Sequence, residues 1–212
     1  MEKNIIYNED YRKTIKRFGE EKIDLILTSP PFLDEEVDKP YYEFLDEFVE
    51  IATRISPILL MFNSSRRIVE ICRRYEDIQH ILIWDKVFTL PAFKYEPIFV
   101  ITKEKIWGKG RIYRDCLRYL VPRKRCHINE NPIPLYRELL RFFPLAKIIY
   151  DPFVGSGTTM LAAEEEGRYW IASEIDEKYY NLALSRLSLL REGKLEYDMA
   201  GLKDKKREEH NG

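Results

Sequence analysis

Short apolar runs alternate along the chain with longer stretches whose apolar residues recur every three or four positions. Runs such as Ile23–Leu27 and Ile58–Phe62 predict strands that are buried on both faces, as in a parallel sheet. Residues 41–55 between them have the apolar spacing of an amphipathic helix, and Pro57 marks its end. The same patterns predict strands at 4–7, 78–84, 95–101, 147–150 and 169–173, and helices that end near residues 75, 142, 167 and 190. Such alternation of strands and helices predicts an α/β fold.

Length and composition indicate one domain and exclude several protein classes. The 212 residues suffice for a sizeable core, and we expect a single domain at 1–195 followed by a charged, disordered tail at 196–212. The apolar runs are too short to span a bilayer and no signal peptide opens the chain, so we expect a cytoplasmic protein with no membrane partner. The three cysteines show no metal or redox spacing, which predicts reduced thiols and no metal site. A single glutamine among many Glu, Lys and Arg residues points to a thermophilic source.

Charge is distributed unevenly, although the formal net charge is only −1. Residues 1–50 contain 14 acidic and 7 basic residues, whereas residues 103–125 contain 9 basic and 2 acidic ones. Trp107, Tyr113 and Tyr119 lie within this basic segment, and the mixture is typical of a nucleic-acid surface. A solvated charged face is the alternative interpretation. The candidate nucleic-acid-binding residues are Lys105, Lys109, Arg111, Arg114, Arg118, Arg123, Lys124 and Arg125.

The segment Thr28–Phe32 connects a predicted strand to a rigid turn. Pro30 and Pro31 fix the backbone and remove two N–H donors, which leaves the carbonyls of Ser29 and Pro30 without an easy local partner. A hydroxyl, free carbonyls and the ring of Phe32 then meet at the end of one strand. This group suits a planar base whose exocyclic amine donates hydrogen bonds to the oxygens while the base stacks on the phenyl ring. An ordinary turn is the alternative interpretation.

A second motif, residues 151–159, has the pattern of a glycine turn between a strand and a helix. Gly155 and Gly157 allow the backbone to approach a ligand, and the start of the helix offers unpaired N–H groups. The turn lacks the lysine of a phosphate-binding loop, and Met160 stands where a dinucleotide fingerprint has a third small residue. The next strand ends at Glu174, whose carboxylate can accept both hydroxyls of a ribose. Together these features favour a nucleoside cofactor without a diphosphate.

With both motifs present, the chain resembles the amino-methyltransferases that modify cytosine N4 or adenine N6 in nucleic acid. In that family a Ser/Asp/Asn-Pro-Pro-aromatic motif holds the target amine, and the matching residues here are Ser29 to Phe32. A Phe-x-Gly-x-Gly motif holds the methionine part of S-adenosylmethionine (SAM), and the matching residues are Phe153 to Gly157. The catalytic motif precedes the cofactor motif, which resembles the circularly permuted β-type order. The likeness covers residues 4–101 and 127–190.

The resemblance implies a Rossmann-like SAM-dependent methyltransferase sheet with helices on both faces and a circularly permuted motif order. The basic segment 102–126 occupies the place of the family's target-recognition region, with room for little more than a helix and a loop. Asp10 matches an acidic residue that contacts the SAM adenine in the family, and a simple helix N-cap is its equal alternative. Asn131–Pro132 stands where the family commonly has Lys-Pro, so no cofactor contact is assigned there. The implied catalytic residues are Ser29, Pro30, Pro31 and Phe32, and the implied cofactor-binding residues are Asp10, Thr28, Asp151, Phe153, Gly155, Ser156, Gly157, Thr158 and Glu174.

The expected reaction is direct transfer of the SAM methyl group to the exocyclic amine, mostly through positioning and preorganised electrostatics. Methylation of cytosine C5 would instead need a thiolate, usually after a proline, and no cysteine in this chain follows a proline. Ser29 at the first motif position resembles the N4-cytosine members more than the N6-adenine members. The expected target is therefore N4 of cytosine.

The expected partner is a nucleic acid, either RNA or DNA. The short insert offers little for reading a major groove, whereas structured RNA can be recognised by its shape and by bases that are already unstacked. This favours a structured RNA such as ribosomal RNA, with a DNA modification methylase of cytosine N4 or adenine N6 as the alternative. Two other classes stay open: a SAM-binding partner subunit without catalysis, and an NAD-type oxidoreductase.

Overall fold

The structure is a computed structural model, and it describes residues 1–32, 37–87, 94–103, 114–122 and 130–196. Within these ranges, strands and helices alternate along most of the chain. The strands are β1 (Ile5–Tyr7), β2 (Leu25–Thr28), β3 (Ile58–Phe62), β4 (Ile78–Asp85), β5 (Tyr95–Thr102), β6 (Cys116–Arg118), β7 (Ile148–Asp151) and β8 (Tyr169–Ser173). The α-helices are α1 (Tyr11–Lys16), α2 (Tyr41–Ile55), α3 (Ile68–Arg74), α4 (Ile133–Phe142), α5 (Thr158–Glu165) and α6 (Glu177–Arg191), and a 3-10 turn at Ser65–Arg67 precedes α3.

The strands form one sheet in the order β1-β8-β7-β2-β3-β5-β4-β6. Neighbouring strands are parallel except at β5, which runs antiparallel to both β3 and β4. β2 lies between β7 and β3, with Ile26 opposite Tyr150 on one side and Thr28 opposite Met61 on the other. The C-terminal ends of β1, β8, β7, β2 and β3 therefore meet at the same edge of the sheet, where ligands bind in open α/β folds.

Each face of the sheet is covered by its own hydrophobic core. Leu25 and Leu27 of β2 belong to one core and Ile26 to the other, because successive strand residues point to opposite faces. The first core includes buried residues of α4, α5 and α6, and the second includes buried residues of α1, α2 and α3. Burial on both faces explains why the strands have continuous apolar runs. The predicted α/β class, with helices on both faces of a Rossmann-like sheet, is confirmed.

Two elements differ from the prediction. The strand expected over Ile23–Leu27 begins at Leu25, because the Asp24 carboxylate accepts hydrogen bonds from the backbone N–H groups of Lys147 and Ile148 at 2.8 Å each. The described part of the basic segment forms the strand β6, which extends the sheet beside β4, where we expected a helix and a loop. The rest of that segment and residues 197–212 of the predicted tail lie outside the described residues. In the described ranges, no helix has the length and apolar character needed to cross a membrane.

Candidate active site

A cavity of about 430 Å³ lies at the C-terminal edge of the sheet, between the two motifs. Ser29–Phe32 lines one side, and residues of the glycine turn together with Glu174 line the other. The strand order explains this, because β2 pairs directly with β7 and the segments that follow the two strands are neighbours. The predicted site residues that line the cavity are Asp10, Ser29, Pro30, Pro31, Phe32, Asp151, Phe153, Gly155, Ser156, Thr158 and Glu174.

Asp151 places a buried carboxylate in the cavity wall, and its side chain is only 4% exposed. Its oxygens accept hydrogen bonds from the hydroxyl of Thr28 at 2.6 Å, from the hydroxyl of Thr159, and from the backbone N–H of Phe153 at 3.0 Å. Burial outweighs these neutral donors and raises the pKa of Asp151 to about 6. Thr28, predicted to bind the cofactor, does not line the cavity, and its hydroxyl orients Asp151. A buried carboxylate held by neutral donors is suited to a cationic group of a ligand.

Gly155 and Gly157 adopt backbone angles φ of +51° and +91°, which only glycine reaches without strain. A Cβ atom on Gly157 would lie 2.7 Å from Cε of Met160 and 3.2 Å from Cβ of Ala183. Gly157 therefore permits α5 and α6 to pack closely and does not itself line the cavity. Gly155 and its neighbour Ser156 do line it.

Glu174 follows β8 with its side chain directed into the cavity wall. One carboxylate oxygen accepts the backbone N–H of Gly155 at 2.8 Å, and the other accepts the backbone N–H of Asp176 at 3.0 Å. Burial raises the pKa of Glu174, while these two backbone donors act in the opposite direction. Each oxygen of a carboxylate accepts two hydrogen bonds, so the fixed Glu174 retains acceptor capacity for hydroxyl donors.

Asp10 caps α1 and also lines the cavity, so the N-cap interpretation is correct. One of its oxygens accepts the backbone N–H of Arg12 at 2.7 Å, and the other pairs with the guanidinium of Arg12 at 2.9 Å. Arg12 also pairs with Glu47 at 3.0 Å, which holds the pKa of Glu47 down at about 2. A contact between Asp10 and an adenine ring stays a prediction.

The predicted catalytic motif, Ser29–Phe32, presents hydrogen-bond acceptors to the cavity. Within the ranges that the structure covers, neither the Ser29 hydroxyl nor the Pro30 carbonyl takes part in a hydrogen bond. Pro31 and Phe32 are half-buried beside them. These two oxygens are therefore available to the N–H groups of a ligand.

Several cavity residues were missed by the sequence analysis. Tyr11 and Phe44 line the cavity, and their ring centroids lie 5.0 and 5.8 Å from that of the predicted residue Phe153. Tyr11 and Phe44 have the spacing of ordinary core positions, so no sequence signal distinguishes them. Asn131 lines the cavity and donates to the Tyr136 hydroxyl at 2.9 Å. The sequence signal that could have identified Asn131 as a cavity residue was its position, where the family commonly has Lys-Pro.

Only two of the candidate nucleic-acid-binding residues are described, and both are engaged in ion pairs. Arg114 pairs with Glu138 at 2.7 Å, and Arg118 pairs with Asp85 at 3.1 Å. Such pairing reduces the positive charge that these two side chains offer to phosphates. The other candidates, Lys105, Lys109, Arg111, Arg123, Lys124 and Arg125, lie outside the described residues.

The described chain contains no group of three or more side chains that could hold a metal ion. Cys72 and Cys116 are exposed, and neither lines the cavity. The described cavity wall presents carboxylates, hydroxyl and carbonyl oxygens and aromatic rings.

Comparisons with known proteins find similarity to DNA methyltransferases. A family model for N6 and N4 methyltransferases, described as DNA methylase, matches residues 102–185, which include the glycine turn and Glu174. The crystal structure of the M1.HpyAVI–SAM complex is 25% identical, with a TM-score of 0.65 over 85% of this chain and 98% of that chain. The chain is therefore similar to this family of N6 and N4 methylases, whose model covers less than half of its 212 residues. This chain is also 23% identical to the type II methyltransferase M.HinfI of Haemophilus influenzae, over 95% of this chain and 73% of that protein.

The same fold occurs in the PvuII DNA methyltransferase, which is named as cytosine-N4-specific. That structure is 19% identical, with a TM-score of 0.67 over 84% of each chain. The predicted resemblance to the methyltransferase family is thus confirmed, and the oxidoreductase alternative is set aside. The comparisons name DNA as the substrate of related proteins, so they favour the DNA alternative over the structured RNA that the short basic segment suggested. The matched family covers both N6 and N4 methylases.

Proposed function

We propose that this protein transfers the methyl group of SAM to an exocyclic amine of a DNA base, with N4 of cytosine as the target. The observation that carries the proposal is the shared cavity. It brings the free acceptors of Ser29 and Pro30 next to the buried carboxylates of Asp151 and Glu174. An amine to be methylated and a charged nucleoside cofactor would be held by these two groups of oxygens.

The residues on the cofactor side fit the groups of SAM, which supplies an activated methyl group on a sulfonium centre. Glu174 offers two oriented oxygens to the ribose hydroxyls. Asp151 offers a buried negative charge to the ammonium of the methionine part, and that ammonium offsets the cost of burying the carboxylate. Gly155 and Ser156 allow the backbone to approach the same part of the molecule. Asp10 lies at the position expected to contact the adenine amine.

Ser29 and Pro30 prepare the amine for methylation. An exocyclic amine is a poor nucleophile, because its lone pair is delocalised into the ring of the base. Acceptance of its two N–H groups by the Ser29 hydroxyl oxygen and the Pro30 carbonyl turns the nitrogen toward tetrahedral geometry and directs its lone pair toward the cofactor side. Phe32 stacks on the base and keeps its plane fixed. The amine exchanges one proton for the methyl group, and that proton goes to solvent, so catalysis consists of positioning and preorganised acceptors.

The choice of cytosine rests on Ser29 at the first motif position, which resembles the N4-cytosine members. Adenine N6 is the second candidate, because the matched family includes N6 methylases and the same acceptors suit that amine. DNA replaces RNA as the first choice of nucleic acid, because the family model and the PvuII enzyme are both described as acting on DNA.

The proposal is tested by counting methyl groups transferred from radiolabelled SAM. Duplex DNA and total RNA, each prepared from cells without this modification, are incubated separately with the full chain. We expect label in the DNA and none above background in the RNA. Label confined to RNA would contradict the choice of DNA. Tight SAM binding with no label in either nucleic acid would indicate a SAM-binding subunit without catalysis.

A further inference from the structure

We infer that Arg186 is a positioning residue that holds the cofactor side of the cavity in shape through a buried ion pair with Glu130. The inference rests on the proposed function, because it assigns the glycine turn to SAM. Arg186 does not line the cavity, and it acts through the backbone of Ser156.

Arg186 lies in α6 with only 6% of its surface exposed, and Glu130 is buried to the same degree. One guanidinium nitrogen donates to the backbone carbonyl of Ser156 at 2.7 Å, and another donates to the Glu130 carboxylate at 2.6 Å. The planar guanidinium can serve both acceptors because its N–H groups point outward in a fixed fork. A single side chain therefore joins three segments that are distant in sequence.

The bond to Ser156 fixes one peptide group of the glycine turn. Its carbonyl is held by Arg186, and its N–H, on Gly157, donates to the carbonyl of Val154 at 2.8 Å. Glycine on either side of Ser156 gives the backbone wide conformational freedom. Without the guanidinium, this peptide group would keep only one of its two anchors, and the turn that lines the cavity could change shape.

The bond to Glu130 holds the segment that leads into α4. Glu130 precedes Asn131, whose carbonyl accepts the hydroxyl of Thr158 at 3.3 Å and whose side chain donates to Tyr136. Asn131, Tyr136 and Thr158 all line the cavity. Arg186 thus couples the glycine turn to the segment that leads into α4.

A purely structural role would not require this pair, because well-packed apolar residues stabilise a protein interior at least as well as a buried ion pair does. The pair instead specifies a geometry, since it accepts only one relative placement of Ser156 and Glu130. Arg191 on the same helix provides a matched comparison. It pairs with Glu164 at 2.8 Å, its side chain is exposed, and neither residue lines the cavity.

The test compares Arg186→Lys with Arg191→Lys. Lysine keeps the charge but offers a single ammonium that cannot span both acceptors in the same geometry. SAM affinity is measured by calorimetry at a temperature where all variants are folded. We expect Arg186→Lys to weaken SAM binding about tenfold, the loss expected for one charge-assisted hydrogen bond. At saturating SAM the turnover number should stay within about threefold, and Arg191→Lys should match the wild type.

SAM affinity of Arg186→Lys within about twofold of the wild type would overturn the inference, even if the melting temperature fell. If Arg186→Lys does not fold, Glu130→Gln takes its place, with an expected weakening of about threefold, and unchanged affinity would again overturn it. Failure of the wild type to bind SAM would contradict the proposed function instead. In that case the positioning role is tested by hydrogen exchange of the amides at 154–158 in the free protein. The role requires faster exchange in the Arg186 variant than in the wild type.

Discussion

The two sides of the cavity differ in how their polar atoms are held. On the cofactor side, Glu174 accepts two backbone N–H groups and Asp151 accepts three neutral donors. On the amine side, the oxygens of Ser29 and Pro30 have no hydrogen bond from any described residue. Side chains that hydrogen bonds already hold in place lose little conformational freedom when a ligand binds. Acceptor atoms without a partner instead receive hydrogen bonds from the ligand. Substitutions of Glu174 or Asp151 should therefore affect SAM binding. Substitutions of Ser29 should affect methyl transfer.

The largest effect is expected from Ser29→Ala. Loss of the hydroxyl removes one of the two acceptors for the amine, so the single-turnover rate of methyl transfer should fall by about 10²–10³-fold while SAM affinity is unchanged. Ser64→Ala is the control, because Ser64 follows the neighbouring strand β3 and its hydroxyl only caps the 3-10 turn, accepting the N–H of Arg66 at 3.3 Å. Loss of SAM binding together with transfer in Ser29→Ala would contradict the division between the two sides.

Glu174→Ala should instead weaken SAM binding. The variant removes the proposed acceptors of the ribose hydroxyls and also the anchor of the Gly155 N–H, so SAM affinity should fall about 100-fold. Glu177→Ala, in the exposed first turn of α6, is the matched control and should leave SAM affinity unchanged. Equal affinities of Glu174→Ala and the wild type for SAM would remove the carboxylate from the cofactor site.

A pair of glycine variants separates close packing from backbone strain. Both Gly157 and Gly167 have positive φ, but a Cβ on Gly167 would meet nothing within 4 Å. Gly167→Ala should lower the free energy of unfolding by about 1–2 kcal/mol, the cost of a left-handed alanine. Gly157→Ala adds the clash with Met160 and should lower it by about 2–4 kcal/mol. Denaturant unfolding of both variants measures the difference, and equal losses would show that Gly157 is not tightly packed.

The smallest effect concerns the pH dependence of SAM binding. Burial raises the pKa of Asp151 to about 6, so in the free protein this group binds its proton more tightly than in the unfolded chain. Its contribution to stability is therefore greatest below about pH 4 and declines as the pH rises through about 6. SAM binding requires the charged form, so affinity should fall about tenfold between pH 7 and pH 5. Titrations of Asp151→Asn should give weaker binding with a smaller pH dependence, because Glu174, whose pKa burial also raises, remains in the cavity. Equal affinity of the wild type at both pH values would contradict the pairing with the ammonium.

The sheet and both motifs could be predicted because their signals are local. A buried strand needs a continuous apolar run, and the turns after Thr28 and Asp151 need proline or glycine at fixed positions. The direction of each side chain was harder to predict. Thr28 and Gly157 belong to the motifs, yet one orients Asp151 and the other packs against α6.

Contacts between distant segments carry no local signal at all. Arg186 meets Glu130 only because α6 packs beside the segment that enters α4. The aromatic cluster around Phe153 brings together residues of α1 and α2 that have the spacing of ordinary core positions. The edge strand β6 lies in a basic, turn-rich segment, and it forms because β4 offers an open edge for pairing.

The most direct test of amine methylation in DNA is the identity of the methylated nucleoside. Duplex DNA without prior methylation is incubated with SAM and the wild type or Ser29→Ala, digested to nucleosides and analysed by mass spectrometry. We predict N4-methyldeoxycytidine with the wild type and almost none with the variant, while N6-methyldeoxyadenosine would keep the chemistry and change the target. Methylation at C5 of cytosine, or no methylated deoxynucleoside at all, would contradict the proposed reaction.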